Sequence, residues 1–443
     1  MFKNLMNKDI LYSNLNYRKV SQKEYNRLNN NIKEFYNIIG DINFYNPYIN
    51  LFCNYFKDHV SYNNKNKVYK LLKRKSRISV IGYFYKALIK NKNNNFLYKN
   101  VFVKELSLIS DQNVDLNYIE TSFFNPLRKK ENDLYYSYNA PSNIEVFVTY
   151  LVSKLKEHDI SPSFCEFYGV YSVEMDRFTY DITESPELIE SLDTLITNKT
   201  KNLVRFIQKK DNYYLEYKHI PAYLLITESG GYDISIIEND FNYDLMLSIT
   251  FQTFCAIITM NNYFGIKHND LHFGNIMLKD TNEEYIYYKI NDKIFKVPTY
   301  GFIVKIIDWG RSTYEFNNIS YKNDIFNYDS ECFGQYIYKK INNKGKQTIL
   351  PKDCKWSDIV MFSYSLLHEF PKLLKTDLGK MLTKNITSNK KELIDTSKFS
   401  WNIYKIITNR NYNIIPKNII FSKIFKEYQV ENDKNEKMYT FNF

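Results

Sequence analysis

Residues 268–278 read HNDLHFGNIML, and residues 304–311 read VKIIDWGR. The first string sets Asp270 and Asn275 five residues apart in a polar loop, after a long apolar-periodic stretch and before a short apolar run. The second is an apolar strand that ends abruptly in Asp308, Trp309 and Gly310. Phosphoryl transfer needs this kind of set. One acid orients the attacking hydroxyl, while an amide oxygen and a second acid hold Mg²⁺ against the phosphates. A glycine just after the metal-binding acid lets the backbone turn sharply, so that the carboxylate faces its ligand. His268 and His272 also stand four apart, as in a zinc-binding H-E-x-x-H pair. Asn269 occupies the place of the general-base glutamate and the segment has no helical pattern, so zinc is set aside.

Together the two strings resemble the protein kinase superfamily. HNDLHFGN follows the catalytic loop H-x-D-x-x-x-x-N, and IIDWG follows the metal-binding D-F-G with Trp for Phe. By that resemblance Asp270 is the catalytic base, Asn275 and Asp308 are the Mg²⁺ ligands, and His268 braces the loop. The wording IIDWGRS, after the KVPTYGFIVK hairpin, is similar to kinase-like proteins of giant DNA viruses. Upstream, VFVKE places Lys104 in mid-strand. As a kinase third-strand lysine it would contact the α/β-phosphates of ATP and pair a helix glutamate. Glu145, near the start of the following helical stretch, fits that partner, with Glu120 the competitor. In LLITESGGYD (residues 224–233) the resemblance makes Thr227 the residue lining the back of the nucleotide pocket. It gives Glu228 to Gly230 as backbone partners of adenine and Asp233 as the ribose contact. An ordinary strand-to-helix turn accounts for the same string. In WSDIVMFSYSLL (residues 356–367), Asp358 matches the helix acid that braces the catalytic-loop backbone, and as a helix-cap acid it would be equally ordinary.

The pattern also departs from the family. The segment SRISVIGYFY (residues 76–85) holds only Gly82 where a phosphate-covering loop has three glycines, and Cβ atoms obstruct a close backbone approach to oxygen. His272 replaces the lysine two residues after the catalytic acid of Ser/Thr kinases, and so resembles the small-molecule phosphotransferase branch. Asn269 stands where regulated kinases carry an arginine, and residues 312–350 hold no A-P-E string. Three readings follow. The first is an ATP- and Mg²⁺-dependent Ser/Thr protein kinase acting on protein substrates. The second is a pseudokinase scaffold, and the third a small-molecule phosphotransferase.

Outward from these strings, the chain has 443 residues, room for two lobes or a domain with an extension. The expectation is an α+β, bilobal kinase-like fold, with an antiparallel-sheet N-lobe over residues 77–231 and a helical C-lobe over 232–443. A charged, loop-like insertion is expected at about 182–214. Residues 1–76 are read as a helical extension, since Leu28, Ile32, Phe35, Tyr36 and Ile39 recur at helical steps. Residues 78–89 and 100–106 read as neighbouring strands, and residues 142–156 as a helix capped by Ser142. Residues 167–173 and 222–227 read as further strands, residues 243–263 as a buried helix, and the last fifteen residues as frayed.

The formal net charge is +11, but Lys and Arg are scattered. Their one cluster, KLLKRK at residues 70–75, reads as a solvated helix face rather than a nucleic-acid patch. Five distant cysteines without CxxC spacing argue against a disulfide framework and for a reducing setting, cytoplasmic or, for a viral protein, a virion interior. No membrane span is expected, because apolar runs fall short of the roughly 18–20 residues required. Composition leaves the oligomeric state open.

Overall fold

In the computed structural model the described residues are 17–19, 42–46, 60–62, 66–79, 82–107, 139–175, 178–183, 189–190, 204–217, 220–237, 241–316, 319–326, 332, 335, 337–341, 347–351, 355–386, 414–431 and 436–443. They fall into two compact units. One holds the described residues of 16–146 and 167–229, the other those of 147–166 and 230–443.

The first unit is built on alternation. Along Gly82–Asn91 the residues Tyr85, Ala87 and Ile89 are buried, and the period of two marks a strand with one face in the core. Its strands are β1 (Tyr17–Lys19), β2 (Ile42–Asn46), β3 (Val60–Tyr62), β4 (Asn66–Ser79), β5 (Gly82–Asn91) and β6 (Phe96–Ser107). Helix α1 (Pro141–Glu157) follows, then β7 (Phe167–Met175), β8 (Phe178–Asp181), β9 (Val204–Lys209), β10 (Asn212–Tyr217) and β11 (Ile220–Glu228). The main sheet is six-stranded and antiparallel, in the order β2-β7-β11-β6-β5-β4. Val101, Val103, Leu224 and Ile226 carry its core with the β5 residues.

Several expectations change here. The sheet begins at Asn66 and also takes in Ile42–Asn46, so the expected boundary at residues 76/77 falls inside β4. The described residues before 77 are strand; the helical pattern at 25–39 lies outside the described residues. The basic cluster at residues 70–75 is part of β4, not a helix face. The insertion at about 182–214 contains structure, since β9 and β10 form a hairpin that β8 extends to three strands. Helix α1 starts one residue before Ser142, with Pro141 in its first turn and Ala140 accepting the Ile144 N–H. Proline is suited to that position, because its missing N–H would lack an intrahelical partner in any case.

The second unit opens with β12 (Tyr232–Asp233) and α2 (Tyr243–Phe264), then β13 (Ile276–Asp280), β14 (Tyr285–Ile290), β15 (Lys293–Pro298) and β16 (Phe302–Ile306). After these come β17 (Tyr314–Phe316), β18 (Ile319–Tyr321), β19 (Ile337–Ile341), β20 (Gln347–Pro351), α3 (Ser357–Glu369), α4 (Asp377–Ile386), α5 (Pro416–Ile420), β21 (Gln429–Val430) and β22 (Met438–Phe441). Asn242 begins α2 by accepting the N–H groups of Asp244 and Leu245, and Gly265 ends it in the left-handed region at φ 56°. Among the described residues α2 is the one helix long and apolar enough to cross a membrane, and most of it is buried within the protein.

Gly231 has φ +105°, and a Cβ there would lie 2.1 Å from the Leu278 carbonyl oxygen, so only glycine lets β12 approach β13. The C-terminus is not frayed. Strand β22 pairs in parallel with β14, Phe441 is fully buried, and Thr440 N–H donates to the Asp159 carbonyl. Charge along residues 429–443 hid the short alternating run MYTF that makes this strand.

Candidate active site

The loop between α2 and β13 is built around a left-handed residue. Asn269 has φ 63°, a conformation with a steric cost that asparagine tolerates better than most. Asp358, buried in the first turn of α3, holds the loop there. Its Oδ2 accepts His268 N–H at 2.7 Å and its Oδ1 accepts Asn269 N–H at 2.9 Å. Burial pushes the Asp358 carboxyl above its ordinary value, opposed by His268 and by these two N–H groups. Seven residues further along the same helix, Ser365 Oγ accepts Phe273 N–H at 2.5 Å. Asp358 and Ser365 thus share one face of α3, and both bind backbone of the loop.

Asp270 and Asn275 are tied to each other inside this frame. Asn275 Nδ2 donates to the Asp270 carbonyl at 2.8 Å, as does the His272 N–H. Ile307 N–H donates to the Asn275 carbonyl at 3.1 Å, and Ile276 pairs with Ile306. Asn275 and Asp308 therefore leave the same end of the β13–β16 pair. Asp308 has φ 66°, the sharp turn expected of the metal-binding acid, although the left-handed residue is the acid itself and not the glycine after it. His268 Nε2 donates to the Ile307 carbonyl at 2.8 Å, and its ring lies 4.8 Å from that of Trp309. The tryptophan is buried and also meets Phe164, so it fills the space beside the bracing histidine.

His272 is turned into the loop. Its Nδ1 accepts Gly274 N–H at 3.0 Å, capping the turn Phe273–Asn275, and so its Nε2 carries the proton. That Nε2–H lies 3.9 Å from Asp270 Oδ2; its 3.3 Å approach to Asn275 Nδ2 sets donor against donor and is no hydrogen bond. Burial holds the imidazole below the ordinary histidine value, against the pull of Asp270.

This donor set fits a hard divalent cation. The amide nitrogen of Asn275 is committed to the Asp270 carbonyl, which leaves its oxygen to join a carboxylate of Asp308.

In the first unit Lys104, on β6, donates to Glu145 Oε1 on α1 at 2.5 Å, and both side chains are largely buried. Glu145 is therefore the lysine's partner; its competitor Glu120 lies outside the described residues. Gly82 faces Lys104 across the β5–β6 pair. Ser79 pairs with Gly82, so the β4–β5 connection is residues 80–81, outside the described residues. Thr227 lies on β11 opposite Phe102, and Glu228, which ends β11, is buried.

Gly230 and Asp233 belong to the second unit. A Cβ on Gly230 would come 3.1 Å from Met277, and the Asp233 carboxylate accepts Ser235 N–H at 2.8 Å, a local capping bond.

The sequence reading missed three residues. Arg311 places NH1 3.3 Å from Asp270 Oδ1. Lys305, buried on β16, donates to the carbonyls of Pro162 (2.6 Å) and Phe164 (3.0 Å). Ser365 is the third; its signal was the seven-residue spacing from Asp358, which puts both on one face of the helix.

No family model matches the chain. Mouse serine/threonine-protein kinase haspin is 29% identical over 130 residues, covering 28% of this chain and 17% of its own length. A probable serine/threonine-protein kinase of Dictyostelium discoideum is 31% identical over 140 residues, 30% of this chain and 10% of that protein. "Putative serine/threonine-protein kinase R301" of Acanthamoeba polyphaga mimivirus is 31% identical over 114 residues, 20% of this chain and 29% of that protein. Over these matched stretches the chain is similar to serine/threonine-protein kinases. The kinase resemblance covers less than a third of each of these relatives. The solved structure of vaccinia related kinase 3 aligns with 81% of this kinase-like chain at 11% identity and a TM-score of 0.33, too slight a likeness to argue from.

Proposed function

We propose that the chain is an active protein kinase that moves the γ-phosphoryl group of ATP to Ser or Thr hydroxyls of proteins. The observation that carries this reading is the tied set Asp270, Asn275 and Asp308, an acid, an amide and an acid on one rigid loop and strand end. Asp270 accepts the proton of the attacking hydroxyl. Asn275 and Asp308 would hold Mg²⁺, which when bound neutralises charge on the phosphates. Lys104, oriented by Glu145, would bind the α/β-phosphates, and the backbone from Glu228 to Gly230 would take the adenine edge.

The intact Lys104–Glu145 pair supports turnover over a scaffold role. His272 favours a small hydroxyl acceptor as the second reading, since it removes the lysine usual in Ser/Thr kinases. Labelled γ-phosphate transfer to a degenerate Ser/Thr peptide mixture tests the proposal. Transfer that disappears in Asp270→Ala and Asp308→Ala supports it. Nucleotide binding without transfer in the wild type refutes it.

A further inference from the structure

Transfer of a phosphoryl group spreads negative charge over its equatorial oxygens, and a site gains rate by fixing a cation there in advance. The catalytic loop itself supplies none at the position two residues after Asp270, where the short His272 side chain is folded back onto Gly274 N–H. A positive group reaches Asp270 from beyond the metal-binding turn. Arg311 sits three residues after Asp308, and its guanidinium reaches Asp270 Oδ1 at 3.3 Å with both side chains about four-fifths covered.

The backbone that carries this arginine is unusually well held. Asn269 Nδ2 donates to the Arg311 carbonyl at 3.0 Å, and Asn323 Nδ2 donates to the carbonyls of Gly310 (2.8 Å) and Ser312 (3.1 Å). Thr313 and Lys267 exchange both N–H···O bonds, at 2.9 and 3.0 Å. Every residue from 310 to 313 is therefore fixed, three of these bonds running to residues 267–269 beside Asp270. A surface arginine with a chance ion pair needs no such frame.

We propose that Arg311 is a catalytic residue whose guanidinium contacts the transferred phosphoryl group and supplies the charge that a catalytic-loop lysine provides elsewhere. This rests on the kinase reading above. The planar fork can engage two phosphoryl oxygens while its contact with Asp270 keeps it aligned.

The test compares the full-length wild type, Arg311→Ala, Arg311→Lys and the double variant Arg311→Ala/His272→Lys. Three quantities are read: kcat and KM for MgATP with the degenerate peptide mixture, the melting temperature, and calorimetric affinity for Mg·ADP with and without aluminium fluoride. The expected result for Arg311→Ala is a loss of about 10²–10³-fold in kcat. KM for ATP and Mg·ADP affinity should stay within about threefold, and the extra affinity given by aluminium fluoride should be lost. Arg311→Lys should recover part of the loss, and the double variant at least about tenfold. An unchanged kcat in Arg311→Ala overturns the proposal. So does a loss matched by a lower melting temperature and not restored by the lysine at 272, which would make Arg311 a structural prop. A wild type that binds no Mg·ADP sinks the kinase reading and this proposal with it, whereas wild-type transfer with an indifferent Arg311→Ala sinks this proposal alone.

Discussion

Replacing Asp358 by alanine should be the most damaging single change that touches neither nucleotide nor acceptor. The carboxylate is 2% exposed and is the hydrogen-bond partner of two loop amides, His268 N–H at 2.7 Å and Asn269 N–H at 2.9 Å. Each amide left buried without an acceptor costs about 1–3 kcal/mol. Removal of the buried acid returns part of its own desolvation penalty, so the net loss expected is about 3 kcal/mol. For a unit of this size that is a fall of roughly 6–12 °C in melting temperature.

The kinetic effect should be larger than the loss of stability. Without the two bonds Asn269 has less reason to keep φ at 63°, and relaxation to negative φ displaces Asp270, the next residue. A displacement of about 1 Å at a reacting group costs on the order of a hundredfold in rate. Asp358→Asn should behave almost as badly, since its amide sets a donor against one of the two N–H groups. Urea unfolding and single-turnover phosphoryl transfer, run on wild type and both variants, measure the two effects separately. Stability within about 1 kcal/mol of wild type together with unchanged turnover would show that the loop holds itself.

Two further outcomes follow from the same unit. Phe441→Ala should cost about 3–5 kcal/mol and open the C-terminus to limited proteolysis, because the ring is fully buried on a strand paired with β14; a melting temperature within about 2 °C of wild type would refute that role. Lys305 is held well below its ordinary value by burial, so the folded state binds this proton more weakly than the unfolded chain. Its contribution to stability is then present above the unfolded value of 10.5 and is lost as pH falls through the folded one. The stability of the wild type minus that of Lys305→Met should therefore rise as the pH is raised toward 10.5, by at most about 1.4 kcal/mol per pH unit. A difference that stays flat over that rise in pH removes the buried charge from the account.

The sequence made the site more legible than the frame around it. Asp270, Asn275, Asp308 and Asp358 stood out because the chemistry proposed for each needs one residue type at a fixed spacing, and the structure gathers them at one loop, one strand end and one helix turn. Lys104 and Glu145 were readable as types, but their pairing across 41 residues needed the sheet and helix to be placed. The edges were read poorly for a physical reason. The strand at residues 66–79 carries Lys and Arg through most of its length and pairs with four register shifts, so period-two alternation is broken. Its basic cluster therefore looked like a helix face. The C-terminal strand is four residues long, and its stability comes from the Phe441 pocket and from β14, neither of which is local in sequence. Arg311 lay inside the string that was read, yet nothing in DWGR says which way a guanidinium points.

A single logic connects these residues. The loop of Asp270 pays for left-handed backbone at Asn269, and the strand end of Asp308 does so again at the acid itself. Such conformations persist when the surroundings over-determine them. Here Asp358 and Ser365 hold the loop from α3, His268 joins it to the Ile307 carbonyl, and Asn275 locks Asp270 from within. Asn269, in the strained position, spends its side chain on the Arg311 carbonyl and so links the loop to the segment after Gly310. The residue that departs from the usual kinase arginine is thus the one that carries the other arginine to Asp270. On this reasoning Asn269 and Arg311 form one device, and an arginine at 269 would break the bond to the Arg311 carbonyl and displace the cation it was meant to supply.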